Sequence, residues 1–280
     1  MTTADAAKRA GKVLVAVAHP DDEVVFFFQV IRTLVADRRE VHVLCVTGEF
    51  GSIDYTEVRR REFHRSCRLL HARPILLGLK DAPGRLDADA LEQGLNEWAG
   101  ASHYERVYTH GVWGEYAHLH HMDFSSAIHE RFDRVHSLAG PLPALETHRL
   151  SQAQLDAKRR MAANVYASQP AASSWCTASE RFTVLRRNEA MLFRWLTRHE
   201  VVEGVEFFLA QPARERARLL ARARACASAF GATTPGAARY RSWLETLARF
   251  LGAIPRTSRR NEVESDTCCR NAPGLARRKL

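Results

Sequence analysis

Short runs of apolar residues that are continuous, not alternating, constrain this chain most. Val13 to Ala18 reads VLVAVA, Val41 to Thr47 reads VHVLCVT, Pro74 to Leu79 reads PILLGL, and a shorter run, RVYT, covers Arg106 to Thr109. A strand with one wet face alternates apolar and polar residues, whereas continuous β-branched runs mark strands covered on both faces of a parallel sheet. Between them lie helical patterns: EVVFFFQVIRTLVADRR, Glu57 to Leu70 and Asp89 to Ala99, with Met122 to Arg134 after the fourth strand. Strand and helix in alternation predict an α/β fold, Rossmann-like, with a mostly parallel sheet and helices on both faces.

Beyond about Gly140 the alternation fades. Pro141 and Pro143 mark a loop, Ser151 to Ala167 and Arg214 to Phe230 read as helices, and Val201 to Leu209 (VVEGVEFFL) reads as a strand. The expected organisation is a Rossmann-like core over 1–140, a smaller C-terminal α/β part over 141–255, and a basic, disordered tail over 256–280.

Composition narrows the class. Of 280 residues, 46% are hydrophobic and 26% charged, the balance of a soluble globular protein. No apolar run reaches the roughly 18 residues that span a membrane, and the start, MTTADAAKRAGK, lacks the apolar stretch of a signal peptide. The expectation is a cytoplasmic protein with no membrane partner. The six cysteines form no CxxC pair, so neither a disulfide framework nor a cysteine zinc site is expected. The net charge of +9 raises nucleic-acid binding. Much of the excess lies between Pro212 and Arg224 and after Arg256, without a recognition motif, so no nucleic-acid partner is expected.

In parallel sheets, ligands bind beyond the carboxyl ends of the strands. Two polar clusters fall at such ends: His19-Pro20-Asp21-Asp22-Glu23 after the first strand and HGVWGEYAHLHH after the fourth. Zinc takes histidine nitrogen and carboxylate oxygen, and a catalytic zinc has three protein ligands and an open position. His19 and Asp22 supply two ligands if a tight turn points both inward, which frees Asp21 to take a proton. An alternative stands beside this reading: Asp21 and Asp22 cap the following helix. The second cluster crowds His118, His120 and His121 into four residues beside Tyr116, with His110 and Glu115 nearby. Trp113 and Phe50, on loops at strand ends, are candidates to stack on a ligand's ring, or else they pack those loops.

AHPDDE after the first strand, with the later G-x-Y-x-H-x-x-H segment, resembles the LmbE / PIG-L zinc de-N-acetylases over roughly residues 12–182. The resemblance implies that His19, Asp22 and His121 hold Zn2+, and that Asp21 is the general base. It implies that His118 stabilises the oxyanion, as imidazolium, and that Tyr116 polarises the amide carbonyl or handles a proton. Arg59 (or its neighbour Arg60) in VRRREF resembles the family's R-x-x-E helix, and Asp81 in LGLKD its substrate-side acid; both would hold sugar hydroxyls. AANVYASQ and Glu180-Arg181-Phe182 resemble later family segments. Where the family reads HPDH or HPNH, this chain reads His118-Leu119-His120-His121, which makes His120 a rival ligand to His121, the residue in the matching position.

The implied activity is zinc-dependent removal of acetyl from an N-acetylglucosaminyl group of a small glycoside or antibiotic precursor, with that amino-sugar glycoside as the small-molecule partner. The rivals are a zinc amidase for thiol conjugates and a non-catalytic zinc- or sugar-binding module. Nucleotide binding lacks the GxGxxG after the first strand.

Overall fold

The computed structural model describes residues 11–99, 103–140, 142–198 and 201–229. In chain order the elements are β1 (Lys12–Val17), α1 (Asp22–Val25), α2 (Phe28–Ala36), β2 (Glu40–Glu49), α3 (Ile53–Leu69), β3 (Arg73–Lys80), α4 (Ala88–Ala99) and β4 (Arg106–Thr109). A 3-10 turn (Glu115–Ala117) then precedes α5 (Leu119–Arg131), β5 (Arg134–Leu138), β6 (Glu146–Arg149) and α6 (Gln152–Val165). A second 3-10 segment (Pro170–Trp175) leads to β7 (Ser179–Arg186), α7 (Arg187–Arg198), α8 (Val201–Ala210) and α9 (Ala213–Ala229).

The seven strands form one sheet in the order β3-β2-β1-β4-β5-β7-β6. β1 to β5 run parallel; β7 is antiparallel to β5 and to β6. The sheet is thus α/β and mostly parallel, as the apolar runs predict. β1 has β2 on one side and β4 on the other, so the direction of winding reverses there and a crevice opens beyond the ends of β1 and β4. Successive side chains of β1 feed opposite cores, because a strand has period two. Val13, Val15 and Val17 pack in one cluster with Phe27, Ile31 and Phe63, while Leu14, Ala16 and Ala18 pack in another with Leu95, Phe124 and Ile128.

The helix expected across residues 23–39 is broken at Phe27, whose φ of −129° leaves the helical range. The exposed N–H groups at the start of α2 are satisfied from far along the chain. Glu180 on β7 accepts from the N–H groups of Gln29 and Val30, each at 2.9 Å, and pairs with Lys158 of α6 at 2.9 Å. Both charges are buried, and each side of the pair is hydrogen-bonded, which is the condition for tolerating buried ions.

Several sequence expectations are corrected. β5, β6 and β7 extend the same sheet where the pattern fades. Their runs are short or charged, and β6 is an edge strand that alternates half-buried and exposed residues. The helix placed at 122–134 starts three residues earlier and gives way to β5 at Arg134. Val201 to Leu209 is not a strand but lies in α8. There Phe208 packs with Phe193 and Leu219 in a third core between helices, and that packing overrides strand propensity. The basic tail at 256–280 lies outside the described residues.

Candidate metal centre

β1 ends at Val17, and the chain turns sharply through His19 and Pro20 into α1. Asp21 sits at that turn with φ 119°, a region that non-glycine residues rarely adopt and that stores strain where surroundings force it. The surroundings are specific. The Asp21 N–H donates to Glu23 Oε2 at 3.1 Å, and its carbonyl accepts from the N–H groups of Val24 and Val25. Glu23, fully buried, accepts in turn from the hydroxyls of Ser66 and Tyr166. Beneath the turn, Arg59 donates to the Pro20 carbonyl and lies 3.8 Å from Asp21 Oδ2.

The loop after β4 brings the second half. Gly114 adopts φ 64°, and a Cβ there would lie 2.6 Å from the His118 carbonyl oxygen, so only glycine lets this loop fold onto the start of α5. The fold places Glu115 behind two histidines. Its Oε2 lies 2.6 Å from His110 Nδ1 and 2.8 Å from His121 Nδ1, and its Oε1 accepts from the Gly111 N–H at 2.8 Å. The Ala18 N–H lies 3.1 Å from His110 Nε2, and Asp22 Oδ2 lies 3.2 Å from the same nitrogen. Glu115 takes the Nδ1 proton of His121, whose Nε2 is left as a bare donor facing the turn after β1.

His19, Asp22 and His121 meet there. His19 Nδ1 and His121 Nε2 are 3.3 Å apart, and each is 3.5 Å from Asp22 Oδ2. Two ligand atoms on a tetrahedral zinc, at bonds of about 2.0–2.1 Å, are separated by about 3.3–3.4 Å. The edges of this triangle therefore match three corners of a zinc tetrahedron, and the donor types, two imidazoles and a carboxylate, suit zinc. A glutamate gripping the far nitrogen of a ligand histidine fixes its tautomer and orientation.

Asp21 and Asp22 are adjacent but electrostatically opposite. Burial alone would raise Asp22, yet His121 and His110 outweigh it and hold its carboxyl well below the usual range. Burial, reinforced by the neighbouring Asp22 charge, pushes Asp21 well above that range, with Arg59 pulling the other way. Asp22 thus stays ionised as a ligand would, while Asp21 is readied to take a proton.

The remaining sequence candidates fall in different places. His118 stacks on His121 with ring centroids 4.6 Å apart. Burial and the neighbours His121 and His19 lower it to about 4. Tyr116 is 62% exposed and stands over the site, its ring 5.6 Å from His121 and 5.9 Å from Trp175. Asp81 follows β3 and faces His120 Nδ1 at 3.3 Å. Arg59 is 2% exposed, under the turn. Phe50, 4% exposed, packs against the Arg59 guanidinium and the edge of Tyr55, and Trp113 packs against Phe193. Sequence reading attached no role to Glu23, Glu115 or His110. The first stood inside the HPDDE motif, so its position was a signal; the partnership of the other two is visible only once the loop is folded.

The structure thus describes an α/β domain with a two-histidine, one-carboxylate donor set beside a spare buried carboxylate. Residues 14–132 match the family model described as PIG-L, GlcNAc-PI de-N-acetylase. A curated relative, the N-acetylglucosaminyl-phosphatidylinositol de-N-acetylase of Bos taurus, is 28% identical over 124 residues; the match covers 42% of this chain and 49% of the relative. Among solved structures, the N,N'-diacetylchitobiose deacetylase of Pyrococcus horikoshii aligns at TM-score 0.48 and 17% identity, covering 64% of this chain and 85% of that one. The 4-carboxy-2-hydroxymuconate hydratase GalB of Pseudomonas putida KT2440 aligns at TM-score 0.47 and 17% identity, covering 59% and 82%.

Proposed function

We propose that this chain is a zinc-dependent de-N-acetylase that hydrolyses the acetamide of an N-acetylglucosaminyl group on a small glycoside, releasing acetate and a free amine. The observation that carries this reading is the donor triangle of His19, Asp22 and His121 beside a second buried carboxylate, Asp21, whose proton affinity is raised by burial. The PIG-L match over the same residues supports the substrate class.

Zinc bound in that triangle would supply Lewis acidity, polarising the amide carbonyl and acidifying a water. Asp21 takes the proton of the attacking water as the C–O bond forms. His118 donates a hydrogen bond to the oxygen that gains negative charge, an interaction worth about 3–4 kcal/mol per donor in such sites. The proton on Asp21 passes to the nitrogen as the C–N bond breaks, so the amine leaves neutral. Arg59 acts beneath the turn, on the Pro20 carbonyl and the Asp21 charge, and sets the position of the base. Tyr116 and Trp175 form the rim that meets the sugar, and residues after 140 complete the cleft through Trp175. An antibiotic or other secondary-metabolite precursor is the substrate we favour, since the open rim suits a bulky aglycone.

The test is acetate release from a panel of N-acetylglucosaminides by metal-stripped protein, with and without one equivalent of zinc. Zinc-dependent acetate is the expected result. Zinc binding without acetate from any member would overturn the reading.

A further inference from the structure

The departure at His120 has a structural counterpart. In place of a second ligand for the first triangle, His120 turns to the opposite edge of His19. Its Nδ1 lies 3.0 Å from His19 Nε2 and 3.3 Å from Asp81 Oδ1, and His19 Nε2 lies 3.7 Å from the same Asp81 oxygen. These three edges again bracket the roughly 3.3–3.4 Å expected between ligands of tetrahedral zinc. His118 joins them: one atom each of His19, His118 and His120 lies within 4.8 Å of the others. The buried Nδ1 of His118 has no hydrogen-bond partner among the described residues. An orphaned buried nitrogen beside three further donors is costly unless something binds it.

The elements that aim these groups are rigid. His19 follows β1, while Asp81 follows β3 and is pinned by its N–H to the Glu49 carbonyl at 2.8 Å. His118 and His120 open α5, whose Met122 N–H bonds back to the His118 carbonyl. At most one proton can lie between His19 Nε2 and His120 Nδ1, and a divalent cation would displace it, as metal binding to imidazoles generally releases protons.

We propose that His19 Nε2, His120 and Asp81 form a second site for a first-row divalent cation of the zinc type, beside His118 and sharing His19 with the first triangle. Imidazole and carboxylate donors select such a cation over calcium or magnesium, which demand oxygen. His19 then offers one ring nitrogen to each cation, and the second binds more weakly because two like charges sharing one imidazole repel. This inference concerns donor geometry and holds whether or not the chain deacetylates sugars.

Metal-stripped full-length protein is titrated with zinc, and bound equivalents are counted by elemental analysis after equilibrium dialysis. Wild type is expected to bind two equivalents in two resolved steps. His120→Gln should keep the tight step and lose the weaker one, and Asp81→Asn should weaken the second step about tenfold or more, in the range seen when metal-site groups are altered. Asp22→Asn should lose the tight step instead. Circular dichroism of each variant establishes that it is folded. A single equivalent in wild type would overturn the proposal, as would a second equivalent that persists in both His120→Gln and Asp81→Asn. Loss of the tight step in His120→Gln would also overturn it, by making His120 an orienting partner for His19 alone.

Discussion

Glu115 and Glu146 each accept hydrogen bonds from two histidines, yet the two clusters end differently. Glu115 takes His110 Nδ1 at 2.6 Å and His121 Nδ1 at 2.8 Å. Glu146 takes His136 Nδ1 at 2.8 Å and His148 Nε2 at 2.7 Å, with the Tyr108 hydroxyl at 3.0 Å. Around both glutamates the partners outweigh burial and hold the carboxyl well below its usual range. Behind Glu115, His121 presents its other nitrogen to His19 and Asp22. Among the described residues, no converging set of three donor atoms includes His136, Glu146 or His148. That cluster instead fastens β4, β5 and β6 together. A pair of histidines on a carboxylate is therefore common ground between a strand clamp and a metal cradle; convergence of unused lone pairs separates them.

The widest gap between the clusters should appear in turnover. Asp21→Asn is expected to lower kcat about 10²–10⁴-fold, the range for loss of a general base, with zinc affinity unchanged. Acetate assays and zinc competition on the same preparation check this, and retained activity would remove Asp21 from its role. Next, zinc at about 100 times its Kd should stabilise wild type by about 2.7 kcal/mol and leave Asp22→Asn unmoved, read by denaturant unfolding. Smaller still, Glu115→Gln should weaken zinc binding about 10–100-fold, as loss of a carboxylate behind a ligand histidine does elsewhere. Glu146→Gln should leave zinc affinity unchanged; equal losses in both variants would erase the distinction.

The smallest effect is one of stability. Glu146→Gln should cost about 1–2 kcal/mol at pH 7, given charged hydrogen bonds on a partly exposed group. Because the folded carboxyl is held low, its contribution is present above the unfolded value of about 4.3 and is lost as pH falls below it. Unfolding curves of the two proteins at pH 7 and pH 4 should thus converge, and a gap that widens toward pH 4 would contradict the sign.

Much of this was legible in the residues. The continuous apolar runs gave β1 to β4 because strands covered on both faces carry no competing pattern. The placement of HPDDE and of the histidine loop at strand ends followed from the same topology. What escaped the sequence depends on distant partners. β6 and β7 alternate too weakly to stand out, and VVEGVEFFL became helical because Phe208 has Phe193 and Leu219 to pack against. Burial of Phe50 and Arg59 is set by how α3 lies under the first turn, which no local pattern records.

The Glu180 contact with α2 has a consequence for the order of events during synthesis. The N–H groups of Gln29 and the carboxylate that quiets them are 151 positions apart. At translation rates of about 5–20 residues per second, that interval is roughly 8–30 s. Until Glu180 is made, the leading amides of α2 have only water as a partner, next to a motif already rich in ligand atoms. Closure of the sheet by β7 is thus the late event that locks the amino-terminal helix, and a pause before codon 180 would prolong the vulnerable state of a segment made long before.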